Sequence, residues 1–370
     1  MDKLPEIEIK PGIPLVAQLA EGMRGYIVRD CKPGQKILSE RKLSEALGCS
    51  RVTTGRVVAA LAREGLLYQA QGSGTYVAER KKEGKRKIAV VVYHSDNPFY
   101  GKIVRAVQEE VDGAGFHTIL VNSKGDVRVE DAALGELRTE VDGFIVAPAL
   151  DPEGKLAPGL TDLVKQDFPL VLICHTPAGG GASGINTVVP DFHSGGHAIT
   201  SHLLDAGYRK VLFFAISGLF HRQDIHDRFE GYRQALAERQ VAFDESWLVK
   251  VDGFDDFNGF FDDGRKAVDK IIPLIEKGTA VFSLGDSSAI GLLRGLRERG
   301  LSVPGDVGVC GFDDIALASQ WGIELTTVRI PASSIGREAT RIVLANIQSP
   351  GLAKVENIVC PVELVVRETT

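Results

Sequence analysis

Apolar positions recur along this chain with two different periods, and the change between them falls near residue 88. Over residues 13–31, Leu15, Leu19, Met23, Tyr26 and Ile27 lie on one side at helical spacing, and Pro33-Gly34 stops the run. SERKLSEALG predicts a short helix, with Ser39 as its N-cap, Leu43 and Leu47 four apart, and Gly48 closing it. A third helix begins at Ser50 and carries Val57, Val58 and Leu61 towards Gly65. LLYQAQ and TYVAE, two β-rich runs around Gly72-Ser73-Gly74, read as a hairpin. Three helices and a hairpin predict a winged helix-turn-helix over residues 1–79.

Beyond Lys87 the period changes. IAVVVY (88–93) is a continuous apolar run, as expected for a strand buried on both faces. A helix from Phe99 to Gly115, TILV (118–121), a second helix, GFIVA (143–147) and PLVLIC (169–174) continue one series. INTVV (185–189), a helix over 191–206 and KVLFFA (210–215) open a second. That second series adds helices near 226–239 and 263–276, AVFSL (280–284), a helix to Gly300, and VGVCGF (307–312). The alternation predicts α/β architecture with parallel sheets, arranged over 88–370 as two lobes with a cleft between them. Residues Glu79 to Lys87, ERKKEGKRK, contain no apolar side chain, and 80–87 read as a linker.

Charge sharpens this division. The whole chain carries 43 Lys and Arg against 49 Asp and Glu, a balance of −6 that argues against a nucleic-acid partner. Through Lys87, however, 17 basic residues face 10 acidic ones, a balance of +7, which leaves −13 for the remainder. Five scattered cysteines without a C-x-x-C pair read as free thiols in a reducing compartment. The N-terminus lacks the apolar core of a signal peptide, and no run approaches the 18 or so apolar residues of a membrane span. The expected location is the cytoplasm.

The basic module carries the candidate DNA-binding residues. In a helix-turn-helix the second helix presents its first turns to the major groove. Here that helix opens with Ser50, Arg51, Thr53, Thr54 and Arg56, which offer donors to guanine or phosphate and methyls to thymine. Arg41 on the preceding helix can clamp the backbone, and Gly72, Ser73 and Gly74 at the hairpin tip can approach a groove closely. The string LSERKLSEALGCSRVTTGRVVAALAREGLLYQAQGSGTYVA resembles the N-terminal domain of the GntR family of bacterial transcription regulators. That resemblance implies operator contacts from Arg41, Arg51, neighbouring recognition-helix residues and the wing glycines. One departure stands out: Gly55 occupies a position where the family usually places a second arginine.

In the acidic module, strand-end loops are the expected ligand site of open α/β sheets. They hold Ser95, Asn97, Asp191, Arg222, Arg228, Phe254, Asp255 and Asp286, with Phe99 and Tyr100 opening the first helix. Carboxylates accept sugar hydroxyls, arginine donates a fork and aromatic rings cover C–H faces, a set suited to a polyhydroxylated ligand. Asp191 and Asp286 equally fit helix caps.

NPFYGKIVRAVQEE, INTVVPDFHSGGHAITSHLLDAGYRKVLFF, DRFEGYRQAL and LTTVRIPASSIGREA resemble the effector domain of the lactose/galactose-repressor family, related to periplasmic sugar-binding proteins. By that resemblance Arg228 and Asp286 bind effector, and Asp191 and the loop around Ser95, Asn97 and Phe99 line the cleft. Gly285 stands where the family usually has Asn. The two resemblances together imply a homodimer that binds double-stranded operator DNA near sugar-utilisation genes. Its release follows binding of a sugar effector, best L-arabinose or another pentose; a hexose, a nucleoside or another small metabolite is the alternative. No enzyme is expected: the body has no G-x-G-x-x-G after its first strand, no Walker A run and no H-E-x-x-H. No catalytic residue, metal ligand or other cofactor is assigned.

Overall fold

Val57, Val58 and Leu61 close against Leu19, Met23 and Ile27 because both sets repeat at helical spacing, and this packing defines the first of two compact units. The structure, a computed structural model, describes residues 14–32, 34–63, 66–70, 74–78, 86–177, 184–220, 222–252, 259–349 and 354–370. The units are Met1–Gly84 and Lys85–Thr370.

The first unit comprises α1 (Leu15–Asp30), α2 (Glu40–Ala46), α3 (Arg51–Arg63), β1 (Leu67–Ala70) and β2 (Gly74–Val77). Ser39 Oγ accepts from Lys42 N at 3.5 Å, and Ser50 Oγ accepts from Thr53 N at 3.1 Å, so each predicted cap begins its helix. β1 and β2 pair antiparallel from Leu67↔Val77 to Ala70↔Gly74. Leu15, expected on the apolar side, is exposed, because α1 begins there and only its later turns meet α3.

The second unit opens with β3 (Lys87–Val92), α4 (Pro98–Gly113), β4 (His117–Asn122), α5 (Val127–Leu137), β5 (Gly143–Val146), α6 (Pro158–Lys165), β6 (Leu170–Ile173) and β7 (Asn186–Pro190). It continues with α7 (Phe192–Asp205), β8 (Lys210–Ile216), α8 (Gln223–Glu238), β9 (Leu248–Val251), α9 (Gly259–Ile271), β10 (Thr279–Ser283), α10 (Asp286–Glu298) and β11 (Gly308–Cys310). Last come β12 (Thr327–Arg329), α11 (Ala332–Gln348), β13 (Asn357–Cys360) and β14 (Glu363–Val365).

Ten strands form two parallel sheets, β13-β7-β6-β5-β3-β4 in one lobe and β11-β10-β8-β9 in the other, and β12 pairs antiparallel with β14. Alternation explains the continuous apolar run at β3. Ile88, Val90 and Val92 face α4 and α11, whereas Ala89 and Val91 face the layer that includes Leu134 and Leu160 of α5 and α6. INTVV does not open the second sheet as its place in the sequence predicted: β7 pairs with β6 and β13 and completes the first. The chain therefore changes lobe three times, after β7, at Ile330-Pro331 and at Pro361-Val362. Asp191 N donates to Cys360 O at 2.9 Å and ties the first crossing to the third.

Two glycines bring α7 and α8 together. A Cβ at Gly196 would overlap the Arg228 carbonyl, and one at Gly231 would overlap that of His193. The helices approach at backbone distance, and this sets the position of Arg228 over the cleft. Behind the first sheet, Glu130 on α5 is wholly buried, and its Oε2 accepts from Ala149 N at 2.8 Å. Burial raises its pKa to about 8, so it is a neutral acid at pH 7. A carboxyl that is harder to ionise when folded stabilises the native state fully only below its unfolded pKa, and the contribution is lost as pH rises through the folded value. Chemical denaturation at pH 5 and pH 8 should therefore show a smaller loss of stability in Glu130→Gln than in the wild type.

Candidate functional site

In the first unit, the face of α3 opposite its core residues is the candidate nucleic-acid surface. Arg51, Val52 and Arg56 are exposed there, and Gly55 lies among them at the i, i+4 spacing that shares a face. Val52, 68% exposed, is an apolar group the sequence reading passed over; its placement on the solvent side of a buried-core helix is the signal that singles it out. Thr54 corrects an expectation. Its side chain is fully buried, with Oγ1 3.3 Å from Cys49 Sγ and donating to Ser50 O at 3.3 Å. Three and four residues before Val57 and Val58, it belongs to the inward stripe and cannot reach a base. Ser50 and Thr53 bond each other at 2.9 Å across the helix start, and Arg41 is exposed with Glu45 at 3.6 Å. In the hairpin, Gly74 takes φ +125°, a conformation that L side chains rarely adopt, so this point favours glycine. Gly72 and Ser73 lie outside the described residues.

In the second unit the carboxyl ends of β3, β6, β8, β10 and β11 converge on one cavity. Asn97, Phe99, Tyr100, Arg222 and Arg228 line it, as expected. Asn97 also caps α4, its Oδ1 accepting from Phe99 N at 3.0 Å. Ser95, Asp191 and Asp286 do not line it. Ser95 bonds Asp96 at 3.4 Å, and Asp191 caps α7 by accepting from Ser194 N at 2.9 Å and Ser194 Oγ at 2.6 Å. Asp286 is fully buried behind the wall, where it accepts from Thr327 Oγ1 at 2.6 Å and Ile315 N at 2.8 Å. Burial and the nearby Asp313 push its carboxyl well above the usual range. Phe254 and Asp255 lie outside the described residues.

The cavity contains polar groups that the sequence reading missed: Tyr93, His175, Asp224, Ser287, Ser288 and Asp313. Tyr93 and His175 follow a strand end by one or two residues, and carrying the strand-end rule one position past VGVCGF would have reached Asp313. Asp224 receives Arg222 in a fork, at 2.9 and 3.0 Å, and lies 3.7 Å from Arg228. Burial alone would raise its pKa, but the two arginines override it and hold the carboxylate at about 2. Arg222 also sits 5.1 Å from the Tyr93 ring centre. His175 Nε2 lies 2.7 Å from Pro148 O, which can only accept. The bond therefore fixes the hydrogen on Nε2 and leaves Nδ1 an acceptor. Burial, with Arg222 adding to it, lowers that imidazole to about 3, so it is neutral.

Arg228 is the most constrained group. Its guanidinium lies 4.5 Å from the Phe192 ring centre and 4.3 Å from that of Phe312, and its Nη1 donates to Leu284 O at 2.9 Å. Its Nε–H is buried and meets no acceptor among the described residues. Asp313 faces the same space, and burial lifts its carboxyl to about 7 although Arg228 opposes the rise. Charges nearly balance: Arg222 is matched by Asp224, and Arg228 by Asp313 when that acid ionises. Unfilled donors and acceptors beside aromatic walls can hold an uncharged polyhydroxylated molecule. Among the described residues no cluster of metal-ligating side chains occurs, and no helix is long and apolar enough to cross a membrane.

Comparison with known proteins agrees with this division. The profile of bacterial regulatory proteins of the gntR family matches residues 15–77, and that of the periplasmic binding protein-like domain matches 200–370. The arabinose metabolism transcriptional repressor of Geobacillus stearothermophilus is 28% identical over 97% of this chain and 98% of its own length. The HTH-type transcriptional regulator DegA of Bacillus subtilis is 30% identical, over 78% of this chain and 82% of its own. Among solved structures, a LacI family transcriptional regulator from Enterococcus faecium with bound ribose superposes with a TM-score of 0.65 at 26% identity, over 77% of this chain and 98% of that one. The chain thus belongs to the bacterial DNA-binding transcription regulators that join a GntR-type helix-turn-helix to a LacI-type, periplasmic-binding-protein-like effector domain.

Proposed function

We propose that this protein is a repressor of sugar-utilisation genes, acts in the cytoplasm as a homodimer on operator DNA, and is released by a small neutral sugar. The observation that carries the sugar reading is the buried Arg228 Nε–H without a protein acceptor, in a cavity whose charges pair among themselves. A buried donor left unmet costs free energy, which a ligand hydroxyl recovers. A phosphorylated ligand would need excess positive charge, which Asp224, together with Asp313 when ionised, offsets. L-arabinose or another pentose is the favoured effector, supported by the full-length likeness to an arabinose repressor and by ribose in a related fold. Effector binding acts by preferring one arrangement of the lobes, and only that difference in affinity shifts DNA binding. The protein is read as performing no catalysis.

Homodimer formation is assigned to the face carrying α10. Trp321 is 94% exposed and Leu317 50%, near a groove formed by Phe261, Ile290, Leu293 and Ile323. Exposed apolar area of this kind marks an interface, and α4 is read as contributing in the other lobe.

Three experiments test these statements. In a mobility-shift assay with promoter DNA, Arg51→Gln should weaken binding at least tenfold, whereas Thr54→Val should leave it nearly unchanged; the reverse order would sink the assignment of the α3 face. Calorimetric titration with pentoses, hexoses and nucleosides should give binding by L-arabinose or another pentose, and Arg228→Met should weaken it by roughly a hundredfold, as for a lost charged hydrogen bond. A response to nucleosides alone would overturn the sugar reading. In sedimentation velocity, Trp321→Glu should convert dimer to monomer; an unchanged dimer would rule this face out.

A further inference from the structure

Lys102 lies on α4, in the lobe built on the six-stranded sheet, and reaches the other lobe. Its Nζ donates to the carbonyl oxygen of Asp314 at 2.8 Å. Lys102 does not line the cavity. The turn that receives it is unusual: Asp313 and Asp314 stand in succession at φ +111° and +52°, a region that side chains other than glycine enter at a cost.

That turn is held from three sides. Asp313 N donates to Val328 O at 2.8 Å. The Asp314 carboxylate accepts from Arg329 Nε at 2.7 Å and from Arg367 Nη2 at 2.6 Å, and the two arginines override burial to hold its pKa below the usual range. Arg329 ends β12, directly before the Ile330-Pro331 crossing, and also bonds Glu363, which opens β14 after the chain has crossed back. One turn is thus anchored to the strands at two lobe crossings, presents Asp313 to the cavity, and offers the Asp314 carbonyl to the opposite lobe.

We propose that Lys102 is a positioning residue that latches the two lobes together and thereby sets effector affinity without touching the effector. The proposal rests on reading the cavity as the effector site. Adjacent residues of one rigid turn make the ligand contact and the bridge, so whatever holds one in place favours the other, and the coupling is reciprocal. An ammonium–carbonyl bond does not survive a separation of even an ångström beyond its present length, so opening of the cleft breaks it.

Lys102→Met keeps the aliphatic stem and removes the donor, and Lys102→Arg keeps a donor. The full-length protein is compared as wild type and both variants by hydrogen–deuterium exchange without sugar and by calorimetry with L-arabinose. Lys102→Met should exchange faster at residues 312–316 and in the first turn of α4, with α8 unchanged, and Lys102→Arg should restore protection. L-arabinose should bind Lys102→Met about three- to tenfold more weakly, the range for an ordinary net hydrogen bond. Unchanged exchange in Lys102→Met overturns the latch whatever the sugar result. Faster exchange with unaltered sugar affinity overturns the coupling to effector. A wild type that binds no monosaccharide overturns the effector reading and leaves the exchange comparison to decide the latch.

Discussion

Burying the charge of Arg228 is the constraint around which the effector unit is arranged. A guanidinium removed from water needs compensation from charge, hydrogen bonds and polarisable neighbours. Asp224 supplies the charge, Leu284 O one acceptor, and the rings of Phe192 and Phe312 the two faces. Asp224 is in turn held ionised by Arg222, whose own face rests over Tyr93 from the other lobe. These partners come from the starts of α7 and α8 and from beyond the ends of β3, β10 and β11. The arrangement exists only when both sheets are formed and α7 and α8 are pressed together at Gly196 and Gly231.

The same economy appears at the lobe boundary. Three crossings join the lobes, and side chains near them serve more than one purpose. Asp191 caps α7 while its backbone joins the first crossing to the third. Asp286, which a strand-end reading assigns to the ligand, instead braces the Asp313–Asp314 turn through Ile315 N and holds Thr327 at the start of β12. Cavity lining and lobe geometry are therefore built from neighbouring residues.

In the first unit the corresponding division is between the two sides of α3. Thr54, Val57, Val58 and Leu61 pack inward, and Arg51, Val52 and Arg56 look out. Gly55 lies on that outer side, where it adds no side chain between Arg51 and Arg56.

Local pattern was enough to determine much of this protein. Helical spacing marked α1 and α3, Ser39 and Ser50 marked the starts of α2 and α3, and apolar runs marked β3, β6, β8 and β10, because these depend on neighbours within a turn or a strand. The charge split near Lys87 separated the two modules for the same reason. Arg222, Arg228, Asn97, Phe99 and Tyr100 were legible as cavity residues because strand ends face the cleft in any such sheet. Tertiary structure alone decided that β7 joins the first sheet, that β13 returns beside it, and that Thr54 and Asp286 turn away from their expected ligands. It also brought Lys102 to Asp314, 212 positions away. Spacing along a chain specifies which face a side chain takes, but what that face meets is set by pairings between distant segments, whose partners no local pattern encodes.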